Sequence, residues 1–198
     1  MGFDQTAVAL LTLPGNVAYL PQQPSLKRSM LEIPGVEAAS LTNEGPAGGI
    51  YWHEQSFFFD RSPVAQDWRA EVQIADPDFV PAMRIPLIAG ALPDSNEHEV
   101  LVNETLVKRL GLHAPQDIVG KTIALNEDTD YFRVTGVVQD YHRESLRAKI
   151  IPVVIKPEGG GYNYLTLRIR PDRLQSTMAQ VQKVFTQYCP DILFDCQW

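Results

Sequence analysis

YNYLTLRIRPDRLQSTMAQVQKVFTQYCPDILFDCQW, residues 162–198, contains a complete strand–helix–strand unit. From Tyr162 to Arg170 the side chains alternate, with Leu165, Leu167 and Ile169 on one face and Tyr164, Thr166 and Arg168 on the other, the pattern of a half-buried strand. Asp172 is placed to cap the helix that follows. In that helix Leu174, Met178, Val181, Phe185 and Tyr188 recur at spacings of four and three and draw one apolar stripe, a packing face rather than a cofactor box. Ile192 to Trp198 supplies the second strand.

A matching unit opens the chain. Ala7 to Pro14 reads as a strand, Pro24 to Glu32 as a short helix with proline in its first turn, and Val36 to Thr42 as a strand. In both units a proline, Pro34 or Pro190, follows the helix and a strand begins within two residues, so the two form an approximate internal repeat. Two such βαβ units combine into a split βαβ sheet with both helices on one face and right-handed crossovers. In that arrangement the first and last strands run antiparallel and both chain ends leave from one edge. The connection between the second and third strands then leaves from the opposite edge. It comprises residues 43–161, too long for a loop, and is expected to be an inserted subdomain. The chain is therefore read as α+β, with a discontinuous subdomain of 1–42 plus 162–198 and a β-rich insertion of 43–161.

Within the insertion, Trp68 to Ala75 is a candidate strand, Asp78 a candidate cap for a helical turn through Phe79 and Met83, and IPLIAG follows. Glu99 to Val102 reads as a strand feeding Asn103, a cap for a helix ending at Gly111. VGKTIAL and YFRVTGVV flank the polar turn NEDTD and predict a hairpin. The aromatic stretch WHEQSFFF, with Trp52, Phe57, Phe58 and Phe59, is expected to be a strand buried on both faces. GPAGG and EGGG read as surface loops.

Composition narrows the function. A hydrophobic content of 44% in 198 residues supports one or two packed domains and argues against disorder. The net charge of −7, with no stripe of Lys and Arg, disfavours nucleic acid. No stretch approaches the roughly 18 to 20 apolar residues of a membrane span, and MGFDQTAVALLTLPG lacks a basic n-region. ILFDCQW reads as a strand rather than a frayed tail, which suggests a soluble piece of a larger membrane protein. Cys189 and Cys196 lie too far apart along an extended chain for a disulfide and are expected to be free.

The strongest candidate chemistry lies in VTGVVQDYHRESLRAKIIPVVI, residues 134–155. Asp140, His142 and Glu144 alternate and, on a continued strand, would share a face able to reach one metal ion. A metal site would call for a further histidine at ligand spacing, and there is none. Ser145 with His142 and an aspartate suggests a triad, but GxSxG is absent and residues so close in sequence rarely attain triad geometry. Two strands joined by a solvated connector, with Arg143 and Arg147 beside the carboxylates, account for the same residues. His98 sits between Glu97 and Glu99 before a strand, and His53 and His113 have no partner set. GxxxxGK[ST] and GxGxxG are both missing, which removes a P-loop and the common dinucleotide fingerprint.

Taken in order, GFD, IPGVEAAS, MRIPLIAGALP, EVLVNETLVKRLGL, VGKTIAL and VTGVVQDYHRESLRAKIIPVVI, followed by the final strand–helix–strand, resemble the extracytoplasmic domain of MacB-like, FtsX-type ABC transporter permeases. The most specific part is VNE with a leucine–glycine helix end, then VGK, then the GVV-D-H-SL run. Ala91 after Gly90 departs from the family pattern, which usually has arginine there. The resemblance implies a porter-like split βαβ subdomain held between transmembrane helices on the periplasmic face of the cytoplasmic membrane. It implies a non-catalytic role that couples ATP-driven transmembrane motion to export or mechanotransmission, with no catalytic, cofactor-binding or metal residues and no cofactor. The partners it implies are a second permease copy, a cytoplasmic ATPase acting through the membrane helices, and an adaptor, outer-membrane channel or lipoprotein. Two alternatives stand beside it: a hydrolase or metalloenzyme built on Asp140, His142, Glu144 and Ser145, and a lipid-, peptide- or lipoprotein-binding module using the aromatic stretch near Trp52.

Overall fold

The computed structural model describes residues 8–15, 17–44, 54–94, 98–126, 130–141, 149–157 and 161–197. In chain order the strands are β1 (Val8–Thr12), β2 (Val36–Thr42), β3 (Glu54–Phe59), β4 (Arg69–Ile74), β5 (Leu87–Gly90) and β6 (Glu99–Asn103). They continue with β7 (Thr122–Leu125), β8 (Tyr131–Val138), β9 (Val153–Lys156), β10 (Tyr164–Ile169) and β11 (Cys196–Gln197). The helices are α1 (Gln23–Leu31), α2 (Phe79–Ala82), α3 (Glu104–Arg109) and α4 (Leu174–Tyr188).

Four strands form an antiparallel sheet in the order β11-β1-β10-β2. The two strand–helix–strand units interleave: β10 lies between β1 and β2, and β1 lies between β10 and β11. Thr12, Thr42 and Tyr164 meet in register at one end of this sheet, where residue 43 leaves and residue 163 returns. β11 pairs with the middle of β1, Gln197 against Leu10 and Cys196 against Leu11, and runs toward the end of the sheet where β1 starts. One face carries α1 and α4, whose Leu26, Met30, Val181 and Phe185 pack on Leu11, Leu41, Leu165 and Leu167. The rest of the α4 stripe, Leu174, Met178 and Tyr188, is partly buried against the same cluster.

Three local expectations are corrected here. β10 is not half-buried: Thr166 and Arg168, on the face away from the helices, are 0% and 2% exposed, because residues 75–85 cover that side. Asp172 does not cap α4. A 3-10 turn, Pro171–Arg173, precedes the helix and moves the cap position to Arg173, so the Asp172 carboxylate pairs with Arg170 instead. Asp78 stands at the start of α2 without capping it, since its carboxylate is held by Lys27.

The remaining strands pair as β5-β8-β6-β9-β4-β3-β7, and β7 also pairs with β8. Six strands thus close a ring, with β5 outside it on β8. The ring closes because β8 divides one edge between two partners: Tyr131 to Arg133 pair with β7, and Gly136 to Val138 pair with β5. β7 and β8 form the antiparallel hairpin read around NEDTD, whose residues 127–129 lie outside the described residues. Inside the ring, Phe57, Val72, Val102, Ile123, Val134 and Val154 share one apolar cluster. β3 is less buried than expected: Phe57 is fully buried and stacks on Trp68 at 5.0 Å, while Phe58 and Phe59 are only half-buried. Asn103 caps α3 as read, its side chain accepting from the Leu106 amide at 3.1 Å.

β5 depends on two glycines. Gly90 has φ +73°, a conformation costly for other residues, and a Cβ there would lie 2.1 Å from the Thr135 carbonyl oxygen. A Cβ on Gly136 would lie 2.7 Å from the Ala91 carbonyl oxygen, so β5 and β8 approach closely only because both side chains are absent.

Candidate functional site

Asp140 follows the end of β8 and faces the first turn of α3. Its two carboxylate oxygens accept from the Thr105 amide and the Thr105 hydroxyl, both at 2.8 Å. A carboxylate so engaged satisfies a helix N-terminus that would otherwise leave donors open. The other members of that constellation, His142, Glu144 and Ser145, lie outside the described residues, as do Trp52 and His53. Among the described residues no group of three His, Cys, Asp or Glu side chains is arranged to hold a metal ion.

The remaining histidines fall in separate places. His98 is exposed, its ring 6.1 Å from that of Phe132, and its carbonyl accepts from the Arg133 amide. His113 is exposed beyond α3. The neighbouring Glu99 is 8% exposed and bonded to Arg133 and to the Asp94 amide. The Arg133 hydrogen bond, aided by that amide and opposed by burial, holds the Glu99 carboxyl below the usual carboxylate range. Cys189 and Cys196 are free, as expected, and burial pushes both thiols up and away from reactive thiolate.

The described polar residues that do converge lie at the joint between the four-stranded sheet and the ring. The backbone crosses there in one antiparallel bridge, Thr42 with Ala75, supported by Asn43 N to Ile74 O at 3.0 Å and Asp76 N to Leu41 O at 2.9 Å. Asp76 then accepts from Ser40 Oγ at 2.8 Å and from Lys27 Nζ at 2.5 Å, and Lys27 also holds Asp78. Burial is the largest single influence on the Lys27 ammonium and pulls its pKa down. Asp76 and Asp78 together outweigh it and leave the pKa raised. Arg168 Nε donates to the Ala82 carbonyl at 2.7 Å, and Arg84 pairs with Glu37 at 2.9 Å. Sequence reading missed this group because Lys27 and Asp76 stand 49 positions apart and neither belongs to a motif. The Asp76-Pro77-Asp78 run was its only local signal, and it resembles a helix cap.

Two surface features complete the picture. Leu87, Ile88 and Leu92, at 37%, 41% and 38% exposure, gather three large apolar side chains on and just beyond the outermost strand β5. A shallow trough on the outer face of α4 is lined by Ala179, Gln182, Lys183, Thr186 and Gln187, a set without a nucleophile–base pair.

This architecture recurs in solved domains of transporters and permeases. The periplasmic region of MacB from Actinobacillus actinomycetemcomitans superposes with a TM-score of 0.66 at 13% identity, covering 97% of this chain and 88% of that one. A domain of a putative permease from Porphyromonas gingivalis gives 0.62 at 18% identity, covering 98% and 92%. The extracellular domain of the noncanonic ABC-type transporter YknZ from Gram-positive bacteria gives 0.61 at 10% identity, covering 96% and 97%. No curated protein matches the chain by sequence. Residues 3–184 match the MacB-like periplasmic core domain, and the chain belongs to that family. It is a periplasmic domain of a MacB-like ABC transporter permease. Among the described residues no helix is long and apolar enough to cross a membrane.

Proposed function

We propose that the chain is a non-catalytic moving part of its permease, which receives ATP-driven motion from membrane helices and passes it to partners outside the cytoplasmic membrane. Residues 1–42 plus 162–198 form the porter-like base beside the membrane, and residues 43–161 form the subdomain carried on it. The observation that supports this reading is the layout of the four-stranded sheet. β1 starts from the end of the sheet toward which β11, paired with Leu10 and Leu11, runs, and the connection to the ring leaves from the other end. Two membrane helices attached at the first end would shift the sheet as a unit, and the joint at Thr42–Ala75 would carry that shift to the ring. A second permease copy, a cytoplasmic ATPase acting through the membrane helices, and an adaptor, channel or lipoprotein are the partners in this scheme. The engagement of Asp140 with Thr105 supports a structural rather than a catalytic role for that residue.

Membrane sidedness tests the reading. Arg69 is exposed at the start of β4, and the variant Arg69→Cys in the full permease, with its native cysteines replaced, offers one accessible thiol. In spheroplasts an impermeant maleimide is expected to label it without permeabilising the cytoplasmic membrane. Labelling only after permeabilisation would place the domain on the wrong side and refute the scheme.

A further inference from the structure

The face of the four-stranded sheet that meets α2 is polar where a domain core would be apolar. Side chains alternate along a strand, so with Leu41, Leu165 and Leu167 on the helix side, Ser40, Thr42, Thr166 and Arg168 point to the other side. All four are buried. From this sheet, Val8 and Ala38 reach the apolar cluster built by α2 and the outside of the ring. The hydroxyls of Thr42 and Thr166 have no hydrogen-bond partner among the described residues. Interfaces between bodies that move within one chain are more polar than domain cores, and unpaired buried hydroxyls gain from re-pairing in a second setting. Apolar contact alone therefore gives this joint little preference for one angle.

Lys27 adds a charged constraint beside the Ser40–Asp76, Arg168–Ala82 and Arg84–Glu37 contacts. It starts from α1, on the far side of the sheet, and passes the β2 edge to reach Asp76 and Asp78, immediately beyond the Thr42–Ala75 crossing. Its side chain is 14% exposed and that of Asp76 10%, so the pair is only weakly screened by solvent. Pro77 between the two carboxylates limits how far they can separate. We propose that Lys27 is a latch: by gripping Asp76 and Asp78 it fixes one angle between the four-stranded sheet and the ring, and its release lets the ring pivot about the Thr42–Ala75 crossing. The proposal rests on the reading that motion passes through this joint, but it is tested on the isolated chain, so either can fail without the other.

Spin labels placed at Lys183→Cys on α4 and Arg69→Cys on β4 report the angle, with Cys189→Ala and Cys196→Ser removing the native thiols. Both label positions are exposed. With Lys27 intact, pulsed electron resonance is expected to give one narrow distance. Lys27→Met is expected to broaden it or add a second maximum, while amide exchange in the two apolar cores stays as protected as before. The double variant K27M/D76N removes the carboxylate that K27M strands, and it is expected to show the same broadening. It carries the test where K27M alone does not fold. A single unchanged distance in K27M/D76N, several distances with Lys27 intact, or an equal loss of exchange protection throughout both cores would each overturn the latch.

Discussion

Phe185→Ala is expected to destabilise the chain by about 3–5 kcal/mol, the range for deleting a fully buried aromatic ring. Phe185 is 0% exposed at the centre of the α4 stripe, shares its cluster with Met30 and Leu167, and meets Phe194 edge-on with ring centroids 5.4 Å apart. Truncation removes the transfer free energy of the ring and leaves a cavity that neither α1 nor the sheet can close without breaking strand register. Denaturant titration followed by far-ultraviolet circular dichroism measures the loss as a lower midpoint at similar slope. Because Trp68 lies inside the ring, its fluorescence, read with Trp52 and Trp198 replaced by Phe, shows whether the ring unfolds in the same transition. A loss below about 1 kcal/mol would mean that the α4 stripe is not the core of the four-stranded sheet.

Asn103→Ala is expected to cost about 2–4 kcal/mol, since one side chain serves three backbone groups in a buried setting. Its Oδ1 accepts from the Leu106 amide at 3.1 Å and the Val153 amide at 2.9 Å, and its Nδ2 donates to the Ile151 carbonyl at 2.8 Å. The residue is 0% exposed, so water cannot replace these bonds without opening the structure. Removing it uncaps α3 and frees the start of β9 together. Asn103→Asp keeps the acceptor, loses the donation to Ile151 and adds a buried charge, so it is expected to be destabilising as well. Hydrogen exchange should show the Leu106 and Val153 amides losing protection first; unchanged exchange at both would contradict the assigned role.

Local patterns made much of this fold readable. The alternation in β10, the stripe on α4 and the Asn103 cap depend on residues within a few positions of one another, and each is found in the structure. What escaped depends on distant chain. Thr166 and Arg168 looked solvent-facing until residues some eighty positions earlier covered them, and one of those contacts joins Arg168 to Ala82. Asp172 and Asp78 have the right chemistry for helix caps, but a 3-10 turn displaced the first and a lysine from α1 took the second. The β7–β8 hairpin was legible because its turn is short, whereas the parallel pairing of β4 with β9 that helps close the ring is not written in either segment alone. The candidate site divides in the same way. Asp140 was visible as a polar residue after an apolar run, but its partner Thr105 lies 35 positions away, and only that pairing places its carboxylate on the first turn of α3.

The exposed triplet Leu87, Ile88 and Leu92 sets a further feature of the molecule apart from its buried joint. An outermost strand that displays large apolar side chains is a liability in a free protein, and natural sheets usually blunt such edges with charge. Here the strand is held to β8 by the close approach at Gly90 and Gly136.

The proposed motion of the domain follows ATPase turnover. Its most direct test places a spin label at Lys183→Cys in both copies of the full permease, assembled with its ATPase in a lipid bilayer. The distance between copies is then compared without nucleotide and with ATP trapped. A shift between two distances that tracks nucleotide state is expected. One distance in both states, with ATP hydrolysis intact, would contradict it.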